Sequence, residues 1–268
     1  MKIFVLGSII LISAALSPPL LAADEENVWM KKNRRSIAVG VFFVEEDTEV
    51  RLSSDILGPG SLVDFQDDLG LDENDEAVRV AGHYRFSPRH RINFGLFDLS
   101  SDATQTVVRD IQFDDSFFPV GTTVNSELGF TFINILYTYS FFQTDTIDLG
   151  VSTGLNIYEF ETSLEAPALA IEEDGDGTAP FPVFGLRFLW NFKPKLSLGA
   201  SLDYFEINEG DIEGQVIDIL VALDHQTWTN VALGIAYNDV SLEAENKEEG
   251  DELDWDYDGF FGYARFRF

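Results

Sequence analysis

The charged side chains that share one face of a predicted strand are the first candidates for chemistry. His83 lies between Arg79 and Arg85 at even spacing, so all three project from the same face of an extended segment. Such a face could transfer protons, because histidine changes charge near neutral pH, or it could form ion pairs with carboxylates. The polar faces of other predicted strands carry Asp148, Arg187, Asp203, Asp218, Asp224, Arg265 and Arg267. The sequence therefore predicts a charged network on the polar faces of its strands.

A second candidate is the acidic segment 172–177. Asp174 and Asp176 are spaced as at the start of a calcium-binding loop. A complete loop needs further oxygen ligands and a late glutamate, but Pro180 and Pro182 follow instead. We expect a solvated acidic loop here, with a weak divalent-cation site as the alternative. No cofactor is predicted.

The elements that must position these residues are strands, because apolar and polar residues alternate from Ser36 to the end of the chain. In 147–158, Ile147, Leu149 and Val151 share one face, and small or polar residues share the other. The pattern predicts ten strands, at 35–45, 77–87, 90–100, 124–142, 147–163, 181–192, 196–208, 214–224, 230–243 and 254–268. Short turns on one side alternate with mostly long loops on the other, the long ones being 46–76, 101–123, 164–180 and 244–253.

The start of the chain is typical of a secretory signal peptide. Lys2 is followed by an apolar stretch over 4–16 that is too short to span a membrane, and by small residues at Ala22 and Ala23. We predict a signal peptide over 1–22. The chain contains no cysteine, which excludes disulfides and a lipid-anchored start.

The net charge excludes a nucleic-acid partner. Removal of Lys2 with the signal peptide leaves 16 basic and 47 acidic residues, a net charge of −31. Phosphate binding requires clustered lysine and arginine. Most of the basic residues map to the short-turn side, whereas the long loops are acidic. We therefore expect an acidic surface that attracts cations.

The last segment, Asp258-Gly-Phe-Phe-Gly-Tyr-Ala-Arg-Phe-Arg-Phe268, resembles the final strand of bacterial outer-membrane β-barrels. Those chains commonly end in Phe, with apolar or small residues at alternate preceding positions, as at Phe260, Phe266 and Phe268. The resemblance implies recognition of this segment by the barrel assembly machinery. A second stretch, 68–71 with 84–91, is similar to small barrels of Gram-negative bacteria, without an implied activity.

The physical argument agrees with this resemblance. In hydrocarbon every backbone N–H and C=O must be paired, which only helices and closed barrels achieve. We predict an all-β fold: a transmembrane, antiparallel, up-and-down barrel of ten strands over 35–268, with eight or twelve strands as alternatives. Residues 23–34 are predicted to be a periplasmic segment. A soluble β-sandwich or lipocalin-like barrel is the competing interpretation.

Function is less constrained than fold. The leading hypothesis is an outer-membrane barrel with a structural or narrow passive-permeation role. The charged network is then a salt-bridged plug, which is favoured, or a proton-sensitive gate or substrate track. The alternative is a surface-binding barrel whose acidic loops contact divalent cations, lipopolysaccharide or another cell. An outer-membrane hydrolase is disfavoured, because omptin-like proteolysis needs a histidine near acid pairs at the outer rim, and His90 and His225 lie in predicted periplasmic turns.

Overall fold

The computed structural model describes residues 34–54 and 57–268. The predicted signal peptide and almost all of the predicted periplasmic segment therefore lie outside the described residues. Within the described ranges, no helix is long and apolar enough to cross a membrane.

The described chain folds into strands. In chain order they are β1 (Arg35–Arg51), β2 (Val63–Asp64), β3 (Asn74–Ser87), β4 (His90–Thr106), β5 (Ile111–Phe113), β6 (Ser116–Phe118), β7 (Thr123–Gln143), β8 (Ile147–Ala166), β9 (Ile171–Lys193), β10 (Leu196–Glu209), β11 (Ile212–Gln226), β12 (Val231–Asn246) and β13 (Asp251–Arg267).

Ten of these strands form a closed antiparallel barrel. Each pairs with its neighbour in the order β13-β12-β11-β10-β9-β8-β7-β4-β3-β1, and β1 pairs with β13 from Ser36↔Arg267 to Arg51↔Glu252. Closure satisfies the backbone groups of the first and last strands, so neither is left as an edge. The predicted architecture and strand number are confirmed.

The two ends of the barrel differ. Short turns and the described chain ends, Arg34 and Phe268, lie at one end, which we call the turn end. At the other end, which we call the loop end, two long connections contain β2 and the β5–β6 hairpin. The ten barrel strands have 14 to 23 residues each, whereas a strand that spans a membrane needs about 9–11 residues. The barrel therefore extends well beyond one bilayer thickness, and the extension is at the loop end.

Two of the predicted long loops are wrong. The segment 164–180 is the continuation of β8 and β9, which pair up to Ala166↔Ile171 around a four-residue turn. The segment 244–253 is likewise the end of β12 and start of β13, which pair up to Asn246↔Asp251. Acidic and glycine-rich sequence looked unfavourable for strands. Acidic residues and glycines are tolerated in these strand ends because each strand end is hydrogen-bonded to its neighbour and its outward side chains face water.

Candidate functional site

The outer wall carries an apolar belt near the turn end. Outward side chains that are exposed there include Phe43 on β1, Leu155 on β8 and Phe184 on β9. Other strands contribute Ile37, Val39, Val41, Leu96, Ile135, Val151, Leu186, Leu202, Val221, Leu223, Leu233, Ile235, Phe260 and Phe266. A continuous apolar surface of this extent is unfavourable in water and is what hydrocarbon requires.

Above the belt the outward residues become acidic. On β1 the outward series Val39, Val41 and Phe43 is followed by Glu45 and Asp47. On β13 the next outward residue from Phe260 toward the loop end is Asp258. It is paired with Glu45 on the neighbouring strand β1 and with Asp239 on the neighbouring strand β12. We call these outward carboxylates above the belt the acidic crown. The crown marks the level at which the outer wall changes from apolar to charged residues.

The interior near the turn end is an ionic layer. Arg85 donates to Asp148 at 2.7 Å, and both side chains are almost completely buried. Nη2 of Arg187 donates to both carboxylate oxygens of Asp203 at 2.7 Å. Paired charges of this kind can be held away from bulk water, because each charged group keeps hydrogen-bond partners.

The remaining charged residues of this interior form two further groups. Arg265 and Arg267 approach Asp224 at 3.2 and 3.6 Å. Deeper in the barrel, Arg79 donates to Asn238, which donates to Asp218, at 2.6 and 2.7 Å. The predicted charged residues thus all face the interior, but they form four local groups and not one continuous chain.

His83 also faces the interior, where its Nδ1 lies 2.9 Å from the Ser36 hydroxyl. His90 lies at the turn end, with its Nδ1 2.6 Å from the Tyr137 hydroxyl. His225, on β11, lies next to the turn-end connection to β12. All three histidines therefore lie in the part of the barrel away from the loop end.

An aromatic layer fills the barrel above the ionic layer, and the sequence analysis missed it. Trp255 stacks on Phe130 and packs against Tyr158 and Tyr257. The guanidinium of Arg79 lies 5.1 to 5.5 Å from the rings of Phe42, Phe97 and Phe261, so it forms the boundary between the two layers. A signal was present: segments such as 130–136 are apolar on both faces, a pattern of strands that are buried on both sides.

The two long connections close the loop end as a cap, formed by residues 57–73 and 107–122. The Phe65 and Phe113 rings meet edge to face, and Gln112 and Ser61 exchange hydrogen bonds. Arg109 binds Asp68 through a bidentate ion pair. The cap buries Phe65, Leu69, Leu71, Val107, Ile111, Phe113 and Phe118 above the aromatic layer.

The prediction of a solvated acidic loop at 172–177 is wrong, because this segment is part of strand β9. Asp174 and Asp176 lie in the regular strand β9, paired with Ser163 and Glu161, and both side chains point outward. Alternate residues of a strand cannot wrap around one ion as a turning loop does. Within the described residues, no group of three or more histidine or acidic side chains could hold a metal ion.

The C-terminal aromatic residues lie on the lipid-facing side. Phe260, Phe266 and Phe268 are exposed, and Phe266 pairs with Ile37 across the closing seam of the barrel. Their role as an assembly signal stays a prediction.

Comparison with known proteins agrees with this geometry. No protein family matches the sequence, and no curated protein is similar to it. Among solved structures, the outer-membrane protease OmpT of Escherichia coli superimposes with a TM-score of 0.54 at 11% identity, over 87% of this chain and 96% of OmpT. Two other barrels superimpose with lower TM-scores. OprG of Pseudomonas aeruginosa has a TM-score of 0.39 at 11% identity, over 88% of this chain and 98% of OprG. Ail of Yersinia pestis has a TM-score of 0.38 at 9% identity, over 86% of this chain and 99% of Ail. The chain thus has the fold of bacterial outer-membrane β-barrels, and its apolar belt is the surface that a membrane-spanning barrel requires.

Proposed function

We propose that this barrel is a sealed structural element of the outer membrane and not a channel. The observation that carries the proposal is the aromatic layer beneath the cap. Inward side chains on several strands, among them Phe42, Phe132, Tyr158, Phe181 and Trp255, are at most 1% exposed. The rings of Phe132, Phe181 and Trp255 all contact Tyr158, a packing that a layer closed to hydrated solutes requires.

The ionic layer supports the same role. Its carboxylates Asp148, Asp203 and Asp224 are each paired with arginine from another strand, so the pairs tie the barrel wall together. A pore lining would keep its charged groups hydrated and free to meet a solute. We therefore favour the salt-bridged plug over the gate or substrate track.

Conductance in planar lipid bilayers tests the proposal. The full chain, shown to be folded by its heat-dependent gel migration, is expected to insert and give a flat current trace at moderate voltage. Reproducible conductance steps from the folded protein would overturn the sealed-barrel proposal and restore narrow permeation.

A second function, attraction of divalent cations to the acidic crown without a preformed metal site, rests on a separate observation. A groove of about 610 Å³ lies where the acidic crown meets the cap, and nine of its lining residues carry carboxyl groups: Glu45, Glu46, Asp47, Asp64, Asp67, Glu73, Asp239, Asp256 and Asp258. Partial burial and the neighbouring carboxylates, Asp64 foremost, raise the pKa of Asp47. Crowded carboxylates are stabilised by cations, and a groove beside the membrane surface could bridge through them to anionic lipopolysaccharide.

Calcium titration tests the binding function. At constant ionic strength, Ca²⁺ is expected to raise the unfolding temperature of the full chain, and Asp47→Asn with Asp256→Asn is expected to reduce the rise. Glu127→Gln, an exposed carboxylate that does not line the groove, is the matched control. Equal calcium responses in all three proteins would contradict an attraction of calcium to the groove.

No hydrolase is part of the proposal. The acid pairs Asp67–Asp68 and Asp114–Asp115 belong to the cap at the loop end, whereas His90 lies at the turn end. A general base must come within hydrogen-bond reach of the group it activates. The protease activity in the name of OmpT is therefore not carried over to this chain.

A further inference from the structure

We propose that the ionic layer contains a binding site for a phosphate-type anion, open to the periplasm at the turn end. Five arginines face this layer, Arg85, Arg91, Arg187, Arg265 and Arg267, against three aspartates, Asp148, Asp203 and Asp224. Two positive charges thus remain uncompensated among the described residues of the layer.

The pairing distances identify the surplus arginines. Asp148 is bound by Arg85 at 2.7 Å, and Arg91 reaches the same carboxylate only at 3.7 Å, which is too long for a hydrogen bond. Asp224 is approached by Arg265 at 3.2 Å, and Arg267 lies at 3.6 Å from it. Arg91 and Arg267 are therefore the two guanidinium groups without a close carboxylate of their own.

Arg91 is in an unfavourable position unless an anion joins it. Its Nε atom is buried without a hydrogen-bond partner in the described part of the chain, and the nearest carboxylate, Asp148 at 3.7 Å, is already hydrogen-bonded to Arg85. An uncompensated charge away from bulk water is costly, whereas the same charge with a hydrogen-bonded counterion is not. Arg267 differs, because Gln226 accepts one of its hydrogen bonds at 2.5 Å.

The site can be reached from the periplasm. Arg267 is the last residue of β13 and lies at the barrel mouth, with 15% of its side chain exposed. Arg265 is 22% and Arg91 is 11% exposed, in contrast to 1% for Arg85, which lies against Asp148. Small inward residues on β10, Ser197, Gly199 and Ser201, are only half-buried, so the interior is not fully packed along this strand.

The charge of the site indicates the class of ligand. A surplus of positive charge favours an oxyanion, and planar guanidinium groups bind phosphate oxygens in a bidentate geometry. The anion could be free phosphate or a phospholipid headgroup of the periplasmic leaflet, since both present the same oxygens.

Binding of inorganic phosphate to the full chain in a zwitterionic detergent tests the site. We expect saturable binding by titration calorimetry and a rise in the unfolding temperature. Arg91→Gln and Arg267→Gln should each weaken phosphate binding by about tenfold or more, the usual effect of removing one charge-assisted hydrogen bond. In phosphate-free buffer, Arg91→Gln should unfold at the same temperature as the parent or higher, because it removes an uncompensated charge.

The matched control is Arg51→Gln, which removes an arginine at the loop end that pairs with Glu252. It should bind phosphate as the parent does, so any general effect of phosphate on folding cancels. Equal phosphate affinity in the parent and in Arg91→Gln, or no saturable binding by the parent, would overturn the proposal. In nanodiscs, competition between phosphatidylglycerol and inorganic phosphate would identify a headgroup ligand, and binding unaffected by this lipid would identify the free anion.

Discussion

The indole ring of Trp255 stacks on the ring of Phe130 with their centroids 3.4 Å apart. Trp255 belongs to β13 and Phe130 to β7, strands that are four places apart around the ten-stranded ring. The contact therefore joins nearly opposite walls across the interior. A barrel whose walls meet in this way is held by its core as well as by its strand pairing.

Replacement of Trp255 by alanine should destabilise the barrel strongly. Trp255 is fully buried, and removal of a buried aromatic side chain costs about 3–5 kcal/mol of unfolding free energy. Denaturant unfolding in detergent, followed by gel migration without boiling, measures the loss. A change below about 1 kcal/mol would mean that the aromatic layer is not packed as described.

Loss of the ion pair between Arg187 and Asp203 should lower the unfolding free energy more than loss of an exposed ion pair does. Arg187→Gln leaves the buried Asp203 carboxylate without its partner, a change that costs about 3–5 kcal/mol. Arg51→Gln removes the half-exposed pair with Glu252 and should cost at most about 1 kcal/mol. Similar losses of unfolding free energy in the two variants would argue against a buried ionic layer.

Gly185 should not tolerate a side chain. A Cβ atom there would lie 2.0 Å from an Asp203 carboxylate oxygen and 2.7 Å from the Leu202 carbonyl oxygen. Gly185→Ala should therefore disturb the Arg187–Asp203 pair and cost roughly 1–3 kcal/mol of unfolding free energy. Gly262→Ala is the control, because no atom lies within 4 Å of its added Cβ. If both alanine variants unfold like the parent, the interior is wider than the structure indicates.

The loop end of the barrel should become less stable as the pH rises toward neutrality. Partial burial, followed by the neighbouring carboxylates Asp256 and Glu243, raises the pKa of Asp254 to about 6. A carboxyl group with a raised folded-state pKa contributes stability below its unfolded value of about 3.9, and this is lost as pH rises through about 6. Asp254→Asn should therefore exceed the parent in unfolding temperature at pH 7 and match it below pH 4. A parent that unfolds at the higher temperature at pH 7 would contradict this sign.

Alternation along the strands was sufficient to predict the barrel and its ten strands. The membrane-spanning part repeats a simple rule, with apolar residues outward and small or polar residues inward, as in 147–156 of β8. The face carrying Arg79, Arg187 and Asp203 was predicted for the same reason. Each of these residues has the parity of an inward position, and parity follows from sequence alone.

The rule fails above the belt, where the environment on both faces changes. There Glu159 and Asp176 face water outside, whereas Tyr158 and Phe181 face an apolar interior. The interior is apolar because the cap covers it, and contacts such as Phe65 with Phe113 depend on long-range folding. The position of Arg91 as the second arginine beside Asp148 could not be predicted either. It depends on the distances from Arg85 and Arg91 to Asp148, which the spacing of residues in the sequence does not determine.

Site-directed spin labelling at two adjacent positions of β8 tests the central claim most directly. Leu155 is 42% exposed in the belt and Asn156 is fully buried inside, and the chain has no cysteine of its own, so Leu155→Cys and Asn156→Cys each give one labelling site. The nitroxide at 155 should be accessible to oxygen dissolved in lipid and not to a water-soluble nickel reagent, and the nitroxide at 156 should be immobile and inaccessible to both. A mobile label at 156 that the nickel reagent reaches would contradict a sealed interior, and nickel access at 155 would contradict the membrane-facing belt.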